Sequence, residues 1–245
     1  MPTVLTIAGS DSSGGAGIQA DLRTLNAIGV RGLTAVTAIT AQHEAGITAI
    51  HPLPSDVVAA QIEAVANPVP DSTKIGMLAN AAIVEAVGAA IEDFDLPLVV
   101  LDPVIASTSG VRLLDAEGVQ TLLIELLPRV LVITPNIFEA EALSGRRIAS
   151  LADVEDAAKS LYDQGAANVL IKGGHSKGDD VVDVLFDGRS IRTSRVARMK
   201  GPNVRGTGCS HASAIAAFLA LGYNLADAAA RAQLHVSGLI ATYTE

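Results

Sequence analysis

The chain of 245 residues has no tryptophan, one cysteine and an aromatic content of only 3%. With Cys209 alone, neither a disulfide framework nor a thiolate-rich zinc site can form, and the reducing cytoplasm is the expected compartment. Basic residues are also scarce: 17 Lys and Arg stand against 26 Asp and Glu, for a net charge of −9. That balance argues against a partner such as nucleic acid or anionic lipid. Charged residues amount to 18% and hydrophobic ones to 49%, which excludes disorder and favours strands buried on both faces. The N-terminus lacks a positive stretch leading into an apolar segment, so no signal peptide is expected. Residues 206–226 carry no formal charge, yet Ser210, His211, Ser213, Tyr223 and Asn224 make them too polar to span a membrane.

What is present is an alternation of apolar runs and helical patterns. Strands are expected at residues 4–8, 33–39, 47–53, 73–75, 98–101, 130–133 and 169–171, several rich in β-branched residues. Between and after them, helical patterns are expected at 55–66 (with Ser55 as N-cap), 81–92, 115–127, 137–143, 151–164, 209–221 and 225–243. An earlier helix carries Ile18, Leu22, Leu25 and Ile28 on one face. Residues 181–186 and 190–196 flank Asp187-Gly188, a hairpin signal that predicts antiparallel strands at one edge. The pattern predicts an α/β fold with a mostly parallel central sheet flanked by helices. No repeat, low-complexity tract or composition shift marks a linker, so one domain over residues 1–245 is expected.

Two glycine-rich turns stand out. The run Gly9-Ser10-Asp11-Ser12-Ser13-Gly14-Gly15-Ala16-Gly17 falls between the first strand and the first helix, where backbone amides can approach a ligand. It loosely fits a dinucleotide fingerprint, with Glu44 as the distant acid, and a tight packing turn explains it equally simply. Gly206-Thr207-Gly208-Cys209 opens an Ala-rich helix and is expected to form an anion hole at its positive dipole end. From Gly188 to Ala226 no acid occurs, whereas Arg189, Arg192, Arg195, Arg198, Lys200 and Arg205 do. Such a stretch suits phosphate, or else is one exposed face of a basic hairpin. Cys209 is either a small buried hydrophobe or, in a helix's first turn near cations, a thiol of lowered pKa able to act as general base.

Further polar residues recur at strand ends. Lys172 in Lys172-Gly173-Gly174-His175, Asp102 in Leu101-Asp102-Pro103 and Asn136 in Thr134-Pro135-Asn136 each follow an apolar strand, the rim where open α/β sheets bind ligands. Glu139, one helical turn beyond Asn136, can face the same Mg²⁺ hydration shell.

Together with Lys74-Ile75-Gly76-Met77-Leu78, these motifs run in one order from about residue 3 to 240. The sequence resembles the hydroxymethylpyrimidine/phosphomethylpyrimidine kinases of thiamine biosynthesis, members of the ribokinase-like superfamily. The resemblance implies a three-layer ribokinase-like fold and a homodimer. It also implies ATP- and Mg²⁺-dependent phosphorylation of 4-amino-5-hydroxymethyl-2-methylpyrimidine to its monophosphate and then its diphosphate. Carried over by position, Cys209 is the catalytic base and Gly206, Thr207 and Gly208 the anion hole. Lys172 lies by the transferring phosphate, Asp102 and Glu139 by the metal, and Asp102, Asn136, Lys172, Arg205 and Thr207 by the nucleotide. Gly9, Asp21, Gln42 and Met77 fall in the pyrimidine pocket. Gln42 suits that place because a carboxamide can accept from the ring's exocyclic amine and donate to the adjacent ring nitrogen. Met77 offers an adaptable apolar wall. Two positions depart from the family: Arg205 stands where histidine is common, and His43-Glu44 where Asn-Thr usually follows the glutamine. An arginine there is expected to hold phosphate oxygens and to offset repulsion in the second transfer. A pyridoxal-type kinase of the same superfamily is the nearest rival. A dehydrogenase leaves the second glycine turn unexplained, and Cys209 argues against a binding module without catalysis.

Overall fold

In a computed structural model, residues 1–43, 46–107, 109–175, 178–199 and 204–243 are described. Glu44 and Lys200, singled out above, lie outside them. The strands are β1 (Thr3–Asp11), β2 (Arg31–His43), β3 (Gly46–Pro52), β4 (Ser72–Ile75), β5 (Val99–Leu101), β6 (Val132–Ile133), β7 (Val169–Ile171), β8 (Asp180–Phe186) and β9 (Ile191–Ala197). They form a nine-stranded sheet in the order β3-β2-β1-β4-β5-β6-β7-β8-β9. Pairing is parallel from β2 through β7 and antiparallel beyond it on both sides. The β8–β9 hairpin forms one edge as expected. The antiparallel β2–β3 pair at the other edge was not anticipated.

Strand period explains the layering. Leu5, Ile7, Leu101, Ile133 and Ile171 face one core, whereas Val4, Val100, Val132, Leu170 and Leu185 face the other. The first core is closed by α2 (Ser55–Val65), α3 (Ala81–Asp93), α4 (Ala116–Thr121), α5 (Ile137–Ser144) and α6 (Leu151–Asp163). The second is closed by α1 (Gly17–Ile28), α7 (Thr207–Ala220) and α8 (Leu225–Ala241), whose alanines let helix and sheet approach closely. Helices, sheet and helices thus make three layers, and strands covered on both faces read as continuous apolar runs.

Several boundaries differ from expectation. Pro54, not Ser55, caps α2: its carbonyl already accepts from Val58, so Ser55 is the first helical residue. The helix expected over 115–127 is α-helical only to Thr121 and then passes through a π turn, Leu122–Leu126, and a 3₁₀ turn, Leu127–Arg129. Pro128 has no amide to donate to Ile124, so a regular α-helix cannot continue there. Gly9, Ser10 and Asp11 belong to β1 itself rather than to a loop.

The strand order reverses between β1 and β4: β2 lies on one side of β1 and β4 on the other. At such a switch point the chain leaves adjacent strand ends in opposite directions and opens a crevice at their carboxyl edge. Among the described residues no helix is long and apolar enough to cross a membrane.

Candidate active site

That crevice is a cavity of about 530 Å³. Its walls come from the ends of β1, β2, β4 and β7, the β8–β9 hairpin, the start of α7 and one side of α8. The two glycine-rich turns, read separately in the sequence, belong to this one cavity. Gly206 caps α7 with φ +75°, and a Cβ there would strike the Gly15 carbonyl. Gly17 opens α1 with φ +59°, and a Cβ there would strike the Gly9 carbonyl. Only glycine satisfies both the left-handed backbone and the close approach.

Below the helix start lies a cluster of charges. Lys172 Nζ donates to Asp102 Oδ1 at 2.6 Å. An added Cβ on Gly208 would lie 3.5 Å from Lys172 Nζ and 3.9 Å from Asp102 Oδ2, so this pair abuts the turn directly. Burial lowers the Lys172 pKa, but Asp102 and Glu139 outweigh it and the ammonium is held charged. Lys74 is fully buried and pairs with Asp21 at 2.8 Å. Its burial is likewise outweighed, by Asp21, Cys209 and Asp102, and its pKa lies above that of ordinary lysine.

Cys209 lines the cavity and keeps partial exposure, so it is not simple core filling. Its acidity corrects the expectation of a lowered pKa. Burial pushes the thiol up to about 11, with Asp21 and Asp102 adding to the shift, while Lys74 and the Gly17 amide oppose it. The ligand-free thiol is therefore protonated at neutral pH.

Asn136 and Glu139 are brought together, but by each other. Asn136 Oδ1 accepts from the Glu139 amide at 2.9 Å and Glu139 Oε2 accepts from the Asn136 amide at 2.8 Å, a reciprocal cap on α5. Both line the cavity. Burial pushes the Glu139 carboxyl up to about 7, with Lys172 pulling it down and Asp102 adding to the rise.

Gln42, Met77 and Gly9 line one end of the cavity, with Ile47 of β3. A Cβ on Gly9 would meet Met77 Sδ at 3.0 Å, so the glycine leaves room for that side chain. Asp21 does not reach the wall. Its Oδ2 accepts from Thr6 Oγ1 at 2.6 Å and from Lys74, and its Oδ1 from Ser213 Oγ at 2.8 Å. It is sealed beneath the cavity and holds Lys74, rather than meeting a ring. Arg205 borders the cavity but is engaged by Asp11 at 2.9 Å. Of the other cations in its stretch, Arg198 also borders the cavity, whereas Arg189, Arg192 and Arg195 lie on the outer hairpin. For those three the exposed-hairpin reading holds.

Sequence reading missed Lys74, Asp11 and the Asp183–His211 pair. A lysine inside the short strand β4, Ser72-Thr73-Lys74-Ile75, was the available signal for the first. Asp183 Oδ2 lies 3.1 Å from His211 Nε2, and its Oδ1 accepts from the Gly173 amide. This pairing joins β8 to α7 and could not be read from spacing. Nor could the far end of the cavity, where Val181 and Val196 of the hairpin face Val236 and Ile240 of α8.

The family model for phosphomethylpyrimidine kinase matches residues 11–245. The chain is 46% identical to a hydroxymethylpyrimidine/phosphomethylpyrimidine kinase of Haemophilus influenzae, covering 97% of this chain and 90% of the relative. It is 44% identical to a thiamine biosynthesis bifunctional protein of Geobacter sulfurreducens over 97% of this chain, and spans about half (49%) of that longer protein. Among solved structures, a phosphomethylpyrimidine kinase of Clostridium difficile superposes with a TM-score of 0.86 at 37% identity, covering 98% of this chain and all (100%) of the other. A pyridoxal kinase of Staphylococcus aureus, in complex with AMP-PCP and pyridoxal, gives 0.89 at 34% identity, covering 98% and 88%.

Proposed function

Since the chain belongs to the phosphomethylpyrimidine kinase family, we propose that it transfers phosphate from ATP to 4-amino-5-hydroxymethyl-2-methylpyrimidine and then to the monophosphate formed, in thiamine biosynthesis. The observation that carries this reading is the convergence of Cys209, Lys172 and Asp102 on the Gly208 position at the start of α7.

Each wall supports a role. The Gln42, Met77 and Gly9 end suits a flat polar ring, held by the carboxamide and bordered by the thioether. The apolar end between Val196, Val236 and Ile240 suits the nucleotide's base. Between them the first amides of α7 and Lys172 offer donors to a phosphoryl group as charge spreads over its oxygens. Asn136 and Thr207 border the same stretch, on the nucleotide side. Asp102 and Glu139 are hard oxygen donors beside it. They fit Mg²⁺, which is commonly held by one or two carboxylates plus substrate phosphates and would there neutralise phosphate charge. Cys209 would take the proton of the attacking hydroxymethyl group. Because the resting thiol is protonated at neutral pH, turnover should rise with pH toward the alkaline side.

One kinase domain over residues 1–245 belongs to the same reading, supported by the continuous sheet. So do a cytoplasmic location, supported by the lone cysteine, and the homodimer that the resemblance implies. The deciding assay measures ADP release with the aminopyrimidine, its monophosphate and pyridoxal as separate acceptors. Release with the first two supports the reading. Release with pyridoxal alone replaces it with the rival.

A further inference from the structure

A carboxylate removed from water must be paired or surrounded by donors. Asp11, at the end of β1, is 3% exposed. Its Oδ1 accepts from the Ser13 amide and the Ser13 hydroxyl, both at 2.9 Å. Its Oδ2 accepts from the Ala16 amide at 2.8 Å and from Arg205 at 2.9 Å. The other terminal nitrogen of Arg205 donates to Ser13 Oγ at 3.3 Å and to the His43 carbonyl at 3.1 Å. One guanidinium thus joins three segments: the β1–α1 turn, the end of β2, and the turn that opens α7. A lysine could meet Asp11 but lacks the planar fork that reaches all three.

We propose that the Arg205–Asp11 pair is a positioning latch, holding the Gly206–Thr207–Gly208 turn against the β1–α1 turn so that Cys209 is correctly aimed. The route is short. Arg205 precedes Gly206, Gly206 packs on the Gly15 carbonyl, and the Gly17 amide at the end of the same turn lies near enough to Cys209 to favour its thiolate. Arg205 therefore acts through its neighbours and does not itself touch the transferred group. Without the latch each turn keeps its own bonds, since Ser13 and Ala16 still hold Asp11, but the spacing between the two walls is no longer set.

The activity readout rests on the kinase reading above; the exchange readout does not. In the ligand-free chain, Arg205→Ala and Asp11→Asn should each speed amide hydrogen exchange in the segment from Ser13 to Gly17 by about tenfold or more, as expected when a charge-assisted bond is lost. Asp11→Asn keeps the side chain's shape but puts an NH2, which cannot accept, where Oδ2 meets Ala16 and Arg205. Arg205→Ala leaves Asp11 its bonds to Ser13 and Ala16 and is the cleaner test, and circular dichroism of both guards against a merely unfolded variant. In turnover with the aminopyrimidine, Arg205→Ala should lower kcat by roughly 10–10²-fold, the scale of a small misplacement of reacting groups. KM for ATP should stay within about threefold. The loss should be equal for the free alcohol and the monophosphate, and the double variant should be no worse than the worse single one. Arg205→Lys should leave kcat closer to Arg205→Ala than to the parent. Unchanged exchange overturns the latch. So do additive losses, a defect confined to KM for ATP, or a larger loss with the monophosphate, any of which puts Arg205 on a phosphate. If the parent chain phosphorylates no aminopyrimidine, the kinase reading fails, and exchange alone decides the latch.

Discussion

Lys74–Asp21 and Lys172–Asp102 are the same pair of side chains, set side by side about one cavity, yet they are satisfied in different ways. Asp21 receives Thr6, Ser213 and Lys74, so both its oxygens are spent inside the protein. Asp102 receives Lys172 on one oxygen, while the other faces the Gly208 position at the cavity. The side chains of the first pair are fully covered, whereas Lys172 retains 11% exposure and Asp102 3%. A carboxylate completed by hydroxyl donors has no oxygen left for a ligand, so Asp21 serves to hold Lys74 where it borders the cavity. One left incomplete beside a helix start retains binding capacity for phosphate or metal. The number of partners, more than the burial of the charge, separates scaffold from site.

Cys209 is the residue on which that contrast bears most. Cys209→Ala should leave the fold intact and lower turnover by about 10²–10⁴-fold, the usual contribution of a positioned general base. Circular dichroism and ADP release at saturating substrate measure the two halves. Near-parental turnover would make the thiol packing only, and the open side of the cluster would lose its chemical purpose.

Substituting the two lysines tests the comparison itself. Lys172→Met should lower turnover by about 10²–10³-fold, as loss of one oriented donor to a developing charge does. Its stability should fall much less, because Asp102 keeps access to the cavity. Lys74→Met leaves Asp21 charged and enclosed, which costs about 3–5 kcal/mol of stability. Denaturant melts of both variants decide the matter: equal stability losses would show that the pairs do not differ as described.

A pH series sharpens the same point with a smaller effect. The Glu139 carboxyl has its pKa raised from 4.5 to about 7, chiefly by burial. The folded state therefore binds a proton more tightly than the unfolded one. This contribution to stability is complete below the unfolded pKa and is lost as pH rises through the folded value. Glu139→Gln, neutral at all pH, should be on the order of 3 kcal/mol more stable relative to the parent at pH 8 than at pH 4. A difference between the two proteins that does not change with pH would show the carboxyl to be ionised throughout. The smallest effect belongs to the rim: Arg195 pairs with Asp180 at 2.8 Å with both side chains exposed. Arg195→Ala should change stability by less than about 1 kcal/mol and leave nucleotide affinity unaltered. A fall in that affinity would return the outer hairpin to the site.

Much of the molecule was legible from local chemistry. Strand β7 and the starts of α3, α5 and α6 fall where the apolar period puts them, and Asn80, Asn136 and Ser150 cap those helices in the structure, because such signals act within a few residues. The strand-end positions of Asp102, Asn136 and Lys172 follow from the same alternation. The edge pairing of β2 with β3 did not, since it depends on which neighbours are left once the parallel strands are assembled.

The sequence by itself determined the α/β class, the two glycine turns and the family, since these reside in residue order and short-range geometry. Only the tertiary structure decided that the two turns share one cavity. It also decided that Asp21 supports Lys74 beneath the floor, that Arg205 is bound to Asp11, and that the Cys209 thiol is made less acidic. Each of those outcomes depends on distances between segments far apart in the chain, and on how much water the packed helices exclude from a charge. Neither quantity is carried by any single stretch of residues.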